Sequence, residues 1–277
     1  MSGNEGLSFI QNASSLQWSQ FRYAIESERW VSDDHSVLTQ LPKLPSTRLE
    51  MAIDKVPNMA SKYQTREFKV RGRQLYKYIV PACKLTLLLS ARVSAHRQQR
   101  IVCFSELNRQ QLDALYAYDK SITGRDRSQF LPLFVQHEEV RGKVLLRACG
   151  EVIGYAAIVQ TGFPERRLYK PAPLYADELS NALRIAVALL QKHHQKNPDS
   201  DVVVLTIEDS AGGTQLNPII EHDAAISPEH GGLTLFNRDP SLFMCMLFTK
   251  CYIPHNSSSH FDAYQSFEPR YFLPSTE

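Results

Sequence analysis

The sequence predicts an α+β fold in which helices flank a mixed, mostly antiparallel sheet. Three observations point there. Residues 142–149 and 152–161 are strand-like runs separated by Gly150-Glu151, a signal for an antiparallel hairpin. Residues 167–209 read strand, turn, long helix, strand, the form of a crossover between parallel strands. Further apolar runs at 233–237 and 242–253 complete the pattern.

At roughly 100–200 residues per domain, the 277 residues allow one large domain or two small ones. A formal charge of +2 gives no argument for a nucleic-acid partner. The most apolar stretch, 78–93, is broken by Pro81, Lys84 and Arg92, so no membrane span is expected. The opening MSGNEGLSF lacks a basic region followed by an apolar core, so no signal peptide is expected. Cys83, Cys103, Cys149, Cys245 and Cys251 are scattered and odd in number, which favours reduced thiols and an intracellular, cytoplasmic location. In such a chain Asn12-Ala13-Ser14 and Asn256-Ser257-Ser258 are chance matches to the glycosylation pattern.

Taken in order, residues 1–10 form a loose lead-in. Ser15 is placed to cap a helix carrying Leu16, Phe21, Ala24 and Ile25, and Asp33 and Asp34 start a second through Val37, Leu38 and Leu41, closed by Pro42 and Pro45. Residues 47–53 suit a strand. The basic stretch 62–77 interleaves Tyr63, Phe68 and Tyr76, and residues 76–80 alternate as a weak strand; a solvated face outweighs nucleic-acid binding there. Residues 84–93 suit a strand or a helix equally, and 92–100 reads as a linker. Asn108 or Glu106 caps a helix through Leu112, Leu115 and Tyr116. Residues 122–127 turn into another helix, with Phe130, Leu131, Phe134 and Val135 on one face.

The crossover carries the clearest periodicity. Its first strand, 168–174, is interrupted by Pro171 and Pro173, and residues 175–178 open the helix. Leu179, Ala182, Leu183, Ala186, Val187 and Leu190 then form one apolar stripe. Lys192, His193, His194 and Lys196 put positive charge at the helix C-terminus, and Asn197-Pro198-Asp199 ends it. Val202, Val203, Val204, Leu205 and Ile207 form a β-branched run suited to a strand buried on both faces.

Few residues offer chemistry on their own. No Gly-Lys-Ser loop and no GxGxxG is present, and Gly212-Gly213 reads as a flexible turn. His255 and His260 lie too irregularly for a shared metal, so no metal site is expected. Cys245 and Cys251 sit in an apolar run and read as core residues, as do Tyr155, Tyr169, Tyr175 and Tyr252 taken singly.

The order of elements between residues 100 and 253 resembles that of the GNAT acetyltransferase superfamily. Tyr118-Asp119-Lys120-Ser121-Ile122-Thr123-Gly124-Arg125-Asp126-Arg127 resembles the Asp…Gly-x-(Asp/Pro)-Arg opening of the C-terminal acetyltransferase-like domain of two-domain GNAT proteins. Gly150-Glu151-Val152-Ile153-Gly154-Tyr155-Ala156-Ala157 resembles the family's hairpin, and Lys170-Pro171-Ala172-Pro173-Leu174-Tyr175-Ala176-Asp177 resembles its Gly-Pro-x-x-Ala-Asp approach to the crossover helix. In the first part, 18–30 with Asp33 and Asp34 resembles a GNAT domain's opening helices, and 56–63 its late segment. No room is left between Glu50 and Val56 for the middle of such a domain. The resemblance therefore implies an incomplete GNAT-like region over 1–97 and a GNAT-like acetyltransferase domain with a polar tail over 98–277.

The function so implied is transfer of an acetyl group from acetyl-CoA to an amine acceptor. Leu174, Tyr175 and Ala176 would form the cofactor edge, with amides of the strand before the crossover helix polarising the thioester carbonyl. Glu208, ending the following strand, would be the base and Tyr252 the acid. In the family the pyrophosphate lies on small residues and free amides at the crossover helix N-terminus. Here 171–178 holds no glycine and no arginine, two prolines remove donors, and Asp177 and Glu178 bring negative charge. That departure supports an alternative: a catalytically inactive GNAT-fold protein acting as a ligand-sensing or protein-interaction module.

Overall fold

The computed structural model describes residues 52–54, 70–94, 99–124, 127, 130–161, 167–236 and 247–255. The expected helices over 15–41, the segment 56–63, the first half of the basic stretch and the tail beyond His255 lie outside the described residues.

The fold is α+β, with helices on both faces of a mixed, mostly antiparallel sheet. In chain order the described elements are β1 (Ala52–Asp54), β2 (Val70–Pro81), α1 (Ala82–Ser90), β3 (Gln99–Cys103), α2 (Arg109–Thr123), α3 (Leu131–Gln136), β4 (Arg141–Arg147), β5 (Val152–Gln160), β6 (Leu168–Ala176), α4 (Leu179–Lys196), β7 (Asp201–Ile207), α5 (Asn217–Ile220), β8 (Glu229–Phe236) and β9 (Cys251–Ile253). A π-turn over Gly212–Leu216 leads into α5. The sheet runs β1-β8-β2-β7-β6-β5-β4-β3, and β9 joins it on β6. Among the described residues only β6 and β7 pair in parallel.

The hairpin forms as the sequence indicates: β4 pairs β5 from Arg141↔Ile158 to Leu146↔Val152, and Gly150 sits at φ 90° in the connection. The apolar run after Pro81 resolves as a helix. Pro81 ends β2, Ala82 N–H donates to the Ser200 carbonyl at 2.9 Å, and Ala82, Leu85 and Leu89 face inward at helical spacing. Asn108, not Glu106, caps α2. Its side chain accepts from the Gln111 amide while the Gln111 side chain accepts from Asn108 N–H, a reciprocal capping box.

Two cores lie on opposite faces of the sheet. On one, α2 and α3 cover Phe104, Val144, Tyr155, Tyr175 and Cys251. On the other, α1, α4 and α5 cover Tyr78, Leu145, Leu174, Val204 and Tyr252. Neighbours such as Cys251 and Tyr252 enter different cores because side chains alternate along a strand. Helix α4 is buried more widely than its single stripe predicts: Ile185 and Leu189 are also inside, because α1 packs alongside.

Strand β2 lies between β7 and β8, with partners from Leu75↔Ile207 to Pro81↔Asp201 on one side and Val70↔Phe236 to Lys77↔Glu229 on the other. Residues N-terminal to the expected boundary at 97/98 thus belong to the same sheet as those after it.

The crossover strand is longer than the sequence indicates. It continues through Pro171 and Pro173 to Ala176, so Tyr175 and Ala176 are strand residues and the helix begins at Leu179. Its parallel pairing with β7 covers only Leu168↔Asp201 and Tyr169↔Val202. Farther along, the vacated edge of β6 pairs with β9, with Leu174 opposite Ile253 and Tyr175 opposite Cys251. Strand β9 also touches β7 and the π-turn.

Candidate functional site

The expected site gathers around the far end of β6. Asp119 and Arg127, buried to 1% and 7% exposure, form its frame. Gly124, at φ 67°, ends α2 in the left-handed conformation that glycine tolerates, and Arg127, three residues on, meets Asp119. Arg127 Nε donates to Asp119 Oδ2 at 2.8 Å, its second nitrogen donates to Oδ1, and Tyr155 OH donates to the same Oδ1. Burial opposes the charge on Arg127, but the adjacent carboxylate more than restores it and holds the guanidinium protonated. Burial, reinforced by that carboxylate, pushes the Tyr155 phenol far above its ordinary range. The Asp and Arg of the quoted 118–127 motif are therefore a buried ion pair supporting the sheet.

Leu174, Tyr175 and Ala176 lie beside this frame, exposed to 2%, 1% and 0%. On one side β5 pairs with them, through Ala156↔Leu174, Tyr155↔Tyr175 and Gly154↔Ala176. On the other side stands β9. The edge expected to meet acetyl-CoA is thus held between two strands of the chain itself.

Residues 247–255 are fastened at both ends of β9. Leu247 N–H donates to the Ile122 carbonyl at 2.7 Å. Lys250 Nζ donates to Asp177 Oδ1 at 2.7 Å, and Tyr118 OH donates to the same oxygen at 3.1 Å. Beyond the strand, His255 N–H donates to Tyr175 OH at 3.3 Å, and the His255 ring packs against Phe130 and Phe134. Burial holds that imidazole neutral, with Arg127 and Lys170 acting in the same direction. Beneath β9 lies Gly212, where a Cβ would stand 1.9 Å from the Tyr252 carbonyl oxygen. Gly213 likewise meets the Ile207 carbonyl, so Gly212-Gly213 is a point of close backbone packing, where the sequence suggested a flexible turn.

The N-terminus of α4 carries the chain's own anions. Glu178 is the N-cap, Asp177 takes the Lys250 ion pair, and Ser180 Oγ donates to Glu178 Oε1 at 2.8 Å. Carboxylates at a helix N-terminus offset the dipole; they also repel a phosphate. With the β6 edge paired and these carboxylates in place, the residues present do not fit acetyl-CoA.

The expected base and acid face different partners. Gln74 N–H donates to Glu208 Oε2 at 2.9 Å and Glu208 N–H to the Gln74 carbonyl at 2.8 Å, so this carboxylate completes the pairing of β7 with an irregular part of β2. Tyr252 is fully buried, donates to Gln215 Oε1 at 3.3 Å, and has its phenol pushed up by burial and then by the Glu178 charge. Because Tyr252 belongs to β9, it cannot keep this position if β9 leaves the β6 edge.

The arrangement of β9 on β6 has no signal in the sequence beyond an apolar run at 242–253. His193 also differs from its expected role. It is 1% exposed, hydrogen-bonded with Ser200 Oγ at 3.0 Å and packed on Tyr169, and burial lowers its pKa to about 4. It is a neutral core residue and contributes no positive charge to the helix end.

No protein-family model matches the chain. It is 26% identical, over 306 aligned positions covering 88% of this chain and 94% of the relative, to an uncharacterised protein of Caenorhabditis elegans. Among solved structures it is similar to a tandem GNAT protein from the clavulanic acid biosynthesis pathway, at TM-score 0.49 and 12% identity, over 68% of this chain and 63% of that one. It is also similar to a GCN5-related N-acetyltransferase from Sphaerobacter thermophilus, at TM-score 0.43 and 12% identity, over 76% of this chain and 62% of that one. A functionally unknown protein from Staphylococcus epidermidis overlaps at TM-score 0.43 and 11% identity, over 68% of this chain and 71% of that one. At these identities and overlaps the solved structures assign neither family nor activity. Among the described residues no helix is long and apolar enough to cross a membrane.

Proposed function

We propose that this chain is a GNAT-like protein that works by binding, as a ligand-sensing or protein-interaction module, and does not transfer acetyl groups in the conformation described. The observation that carries this reading is the pairing of β9 with Leu174 and Tyr175. Cys251, Tyr252 and Ile253 are exposed to 0%, 0% and 3%. Burying side chains of this size contributes roughly 1.5–3 kcal/mol each, so detaching β9 costs about 5 kcal/mol or more. A ligand that needs the detached form binds about a thousandfold or more weakly than it would to an open edge.

The second reading is a GNAT-type N-acetyltransferase that uses acetyl-CoA and an amine acceptor. It is favoured by the three motifs quoted above and by the retained Asp119–Arg127 frame. It requires β9 to leave, and departure of β9 removes Tyr252, the expected acid, from its place. The two parts of that site exclude one another here.

The incomplete N-terminal region belongs to the same proposal. The alignment with the nematode relative is longer than the 277 residues of this chain, so the relative holds internal segments that this chain lacks. Sequencing the transcript across the codons for residues 50–56 tests this: an uninterrupted reading frame supports a shortened region, and a skipped exon overturns it. Calorimetric titration of the full chain with acetyl-CoA tests the closed edge. Absence of heat at millimolar cofactor supports it, and micromolar binding overturns it.

A further inference from the structure

A cleft of about 220 Å³ opens at the opposite end of the sheet from β9. Its walls come from four elements and a turn: Glu138 and Glu139 before β4, Arg141 at the start of β4, Gln160 ending β5, Tyr169 near the start of β6, and His193 in the last turn of α4. The volume is below the roughly 300–1,000 Å³ of sites for drug-sized molecules. It is too small for a coenzyme A derivative and suits a metabolite of amino-acid size.

The floor of the cleft is fixed. The His193 and Tyr169 rings meet edge to face with centroids 4.3 Å apart. His193 Nε2 is hydrogen-bonded with Ser200 Oγ, and Tyr169 OH donates to Asn197 Oδ1 at 3.2 Å. Burial keeps His193 uncharged, and Arg141 is close enough for its charge to act in the same direction. The floor therefore brings aromatic surface and polar atoms but no formal charge.

The charges sit on the rim and have opposite signs. Glu138, Glu139 and Arg141 are exposed, and among the described residues none of the three takes part in an ion pair. Glu138, Glu139 and Arg141 line one cleft and, among the described residues, form no ion pair with one another. A ligand that carries both an ammonium and a carboxylate would satisfy both sides at once, through charge-assisted hydrogen bonds that include a bidentate guanidinium–carboxylate contact. A simple anion would meet two carboxylates, and a simple cation would meet the guanidinium.

We infer that this cleft binds a free α-amino acid or a zwitterion of similar size, with its carboxylate on Arg141 and its ammonium on Glu138 and Glu139. This rests on the reading that the chain works by binding, and it gives that role a ligand class.

The test is titration of the full chain with each common L-amino acid at about 10 mM, read by calorimetry and by thermal shift. At least one amino acid is expected to bind and raise the melting temperature. Its N-acetyl and carboxamide derivatives, each lacking one charge, should bind about tenfold more weakly or worse. Arg141→Ala should weaken the free amino acid by a similar factor while leaving the carboxamide unchanged, and Glu138→Gln with Glu139→Gln should do the same with respect to the N-acetyl derivative. All three positions are exposed, so the variants should melt as the parent does without ligand. Silence across the whole panel overturns the inference, as does a bound amino acid indifferent to Arg141→Ala. Acetyl-CoA binding would contradict the closed edge and leave these outcomes unaffected, so the two failures are separable.

Discussion

Cys251 stands opposite Tyr175 across an antiparallel ladder. The same tyrosine uses its hydroxyl to accept the His255 amide four residues farther along the chain. One side chain and its backbone therefore hold both β9 and the residues that follow it.

Removing space beneath β9 should loosen it. A methyl group at Gly212 would meet the Tyr252 carbonyl oxygen at 1.9 Å, a backbone atom with no rotamer to yield. Gly212→Ala is expected to expose Cys251. In the parent, mapped thiol labelling should modify Cys83 and Cys149, which are exposed, and spare Cys251, which is buried with its thiol pKa pushed up by burial. In Gly212→Ala, Cys251 should label while the melting curve stays cooperative. Protection equal to that of the parent would count against the close packing of β9 on the π-turn.

The Asp119–Arg127 pair should behave as a structural unit. Arg127→Met leaves the Asp119 carboxylate buried with only the Tyr155 hydroxyl, at a cost of about 3–5 kcal/mol. Asp119→Asn with Arg127→Met should recover part of that loss. Urea denaturation of the single and double variants measures both, and equal stability of parent and Arg127→Met would refute the assignment.

Acid should destabilise the fold through His193. Its pKa falls from 6.5 to about 4 on folding, so between these values the unfolded chain binds the extra proton. The stabilisation is complete above pH 6.5 and is lost as pH falls toward 4, amounting to about 3 kcal/mol at most. His255, also buried and neutral, adds to the same slope. His193→Gln should flatten the fall in urea midpoint between pH 7 and pH 5; an unchanged slope would place the effect elsewhere.

Much of this fold is legible in the sequence because the determining interactions are local. The α4 stripe, the β4–β5 hairpin and the Asn108 cap depend on residues a few positions apart. The expected helix start at 175–178 misses because the strand is prolonged by partners from β5 and β9. The ambiguity over residues 84–93 has the same kind of origin. The leucine-rich run after Pro81 carries no decisive period of its own, and Ser200, far along the chain, receives the first amide of α1. The candidate site is less legible. Glu208 is drawn to Gln74 and Tyr252 to Gln215, and neither contact leaves a mark in local spacing.

Glu208 offers a further check on that point. Glu208→Ala removes the acceptor of the Gln74 amide and should cost about 1–2 kcal/mol of stability. A variant as stable as the parent would mean that the carboxylate is free for another role.

The most direct test of the closed edge is calorimetric titration of the full chain with acetyl-CoA, with hydrogen exchange followed at Leu174, Tyr175, Cys251 and Ile253. The β9–β6 ladder predicts no heat at millimolar cofactor and slow exchange at those positions throughout the titration. Micromolar binding accompanied by loss of protection at these amides would contradict it, because β9 would then leave the β6 edge at little cost to the cofactor.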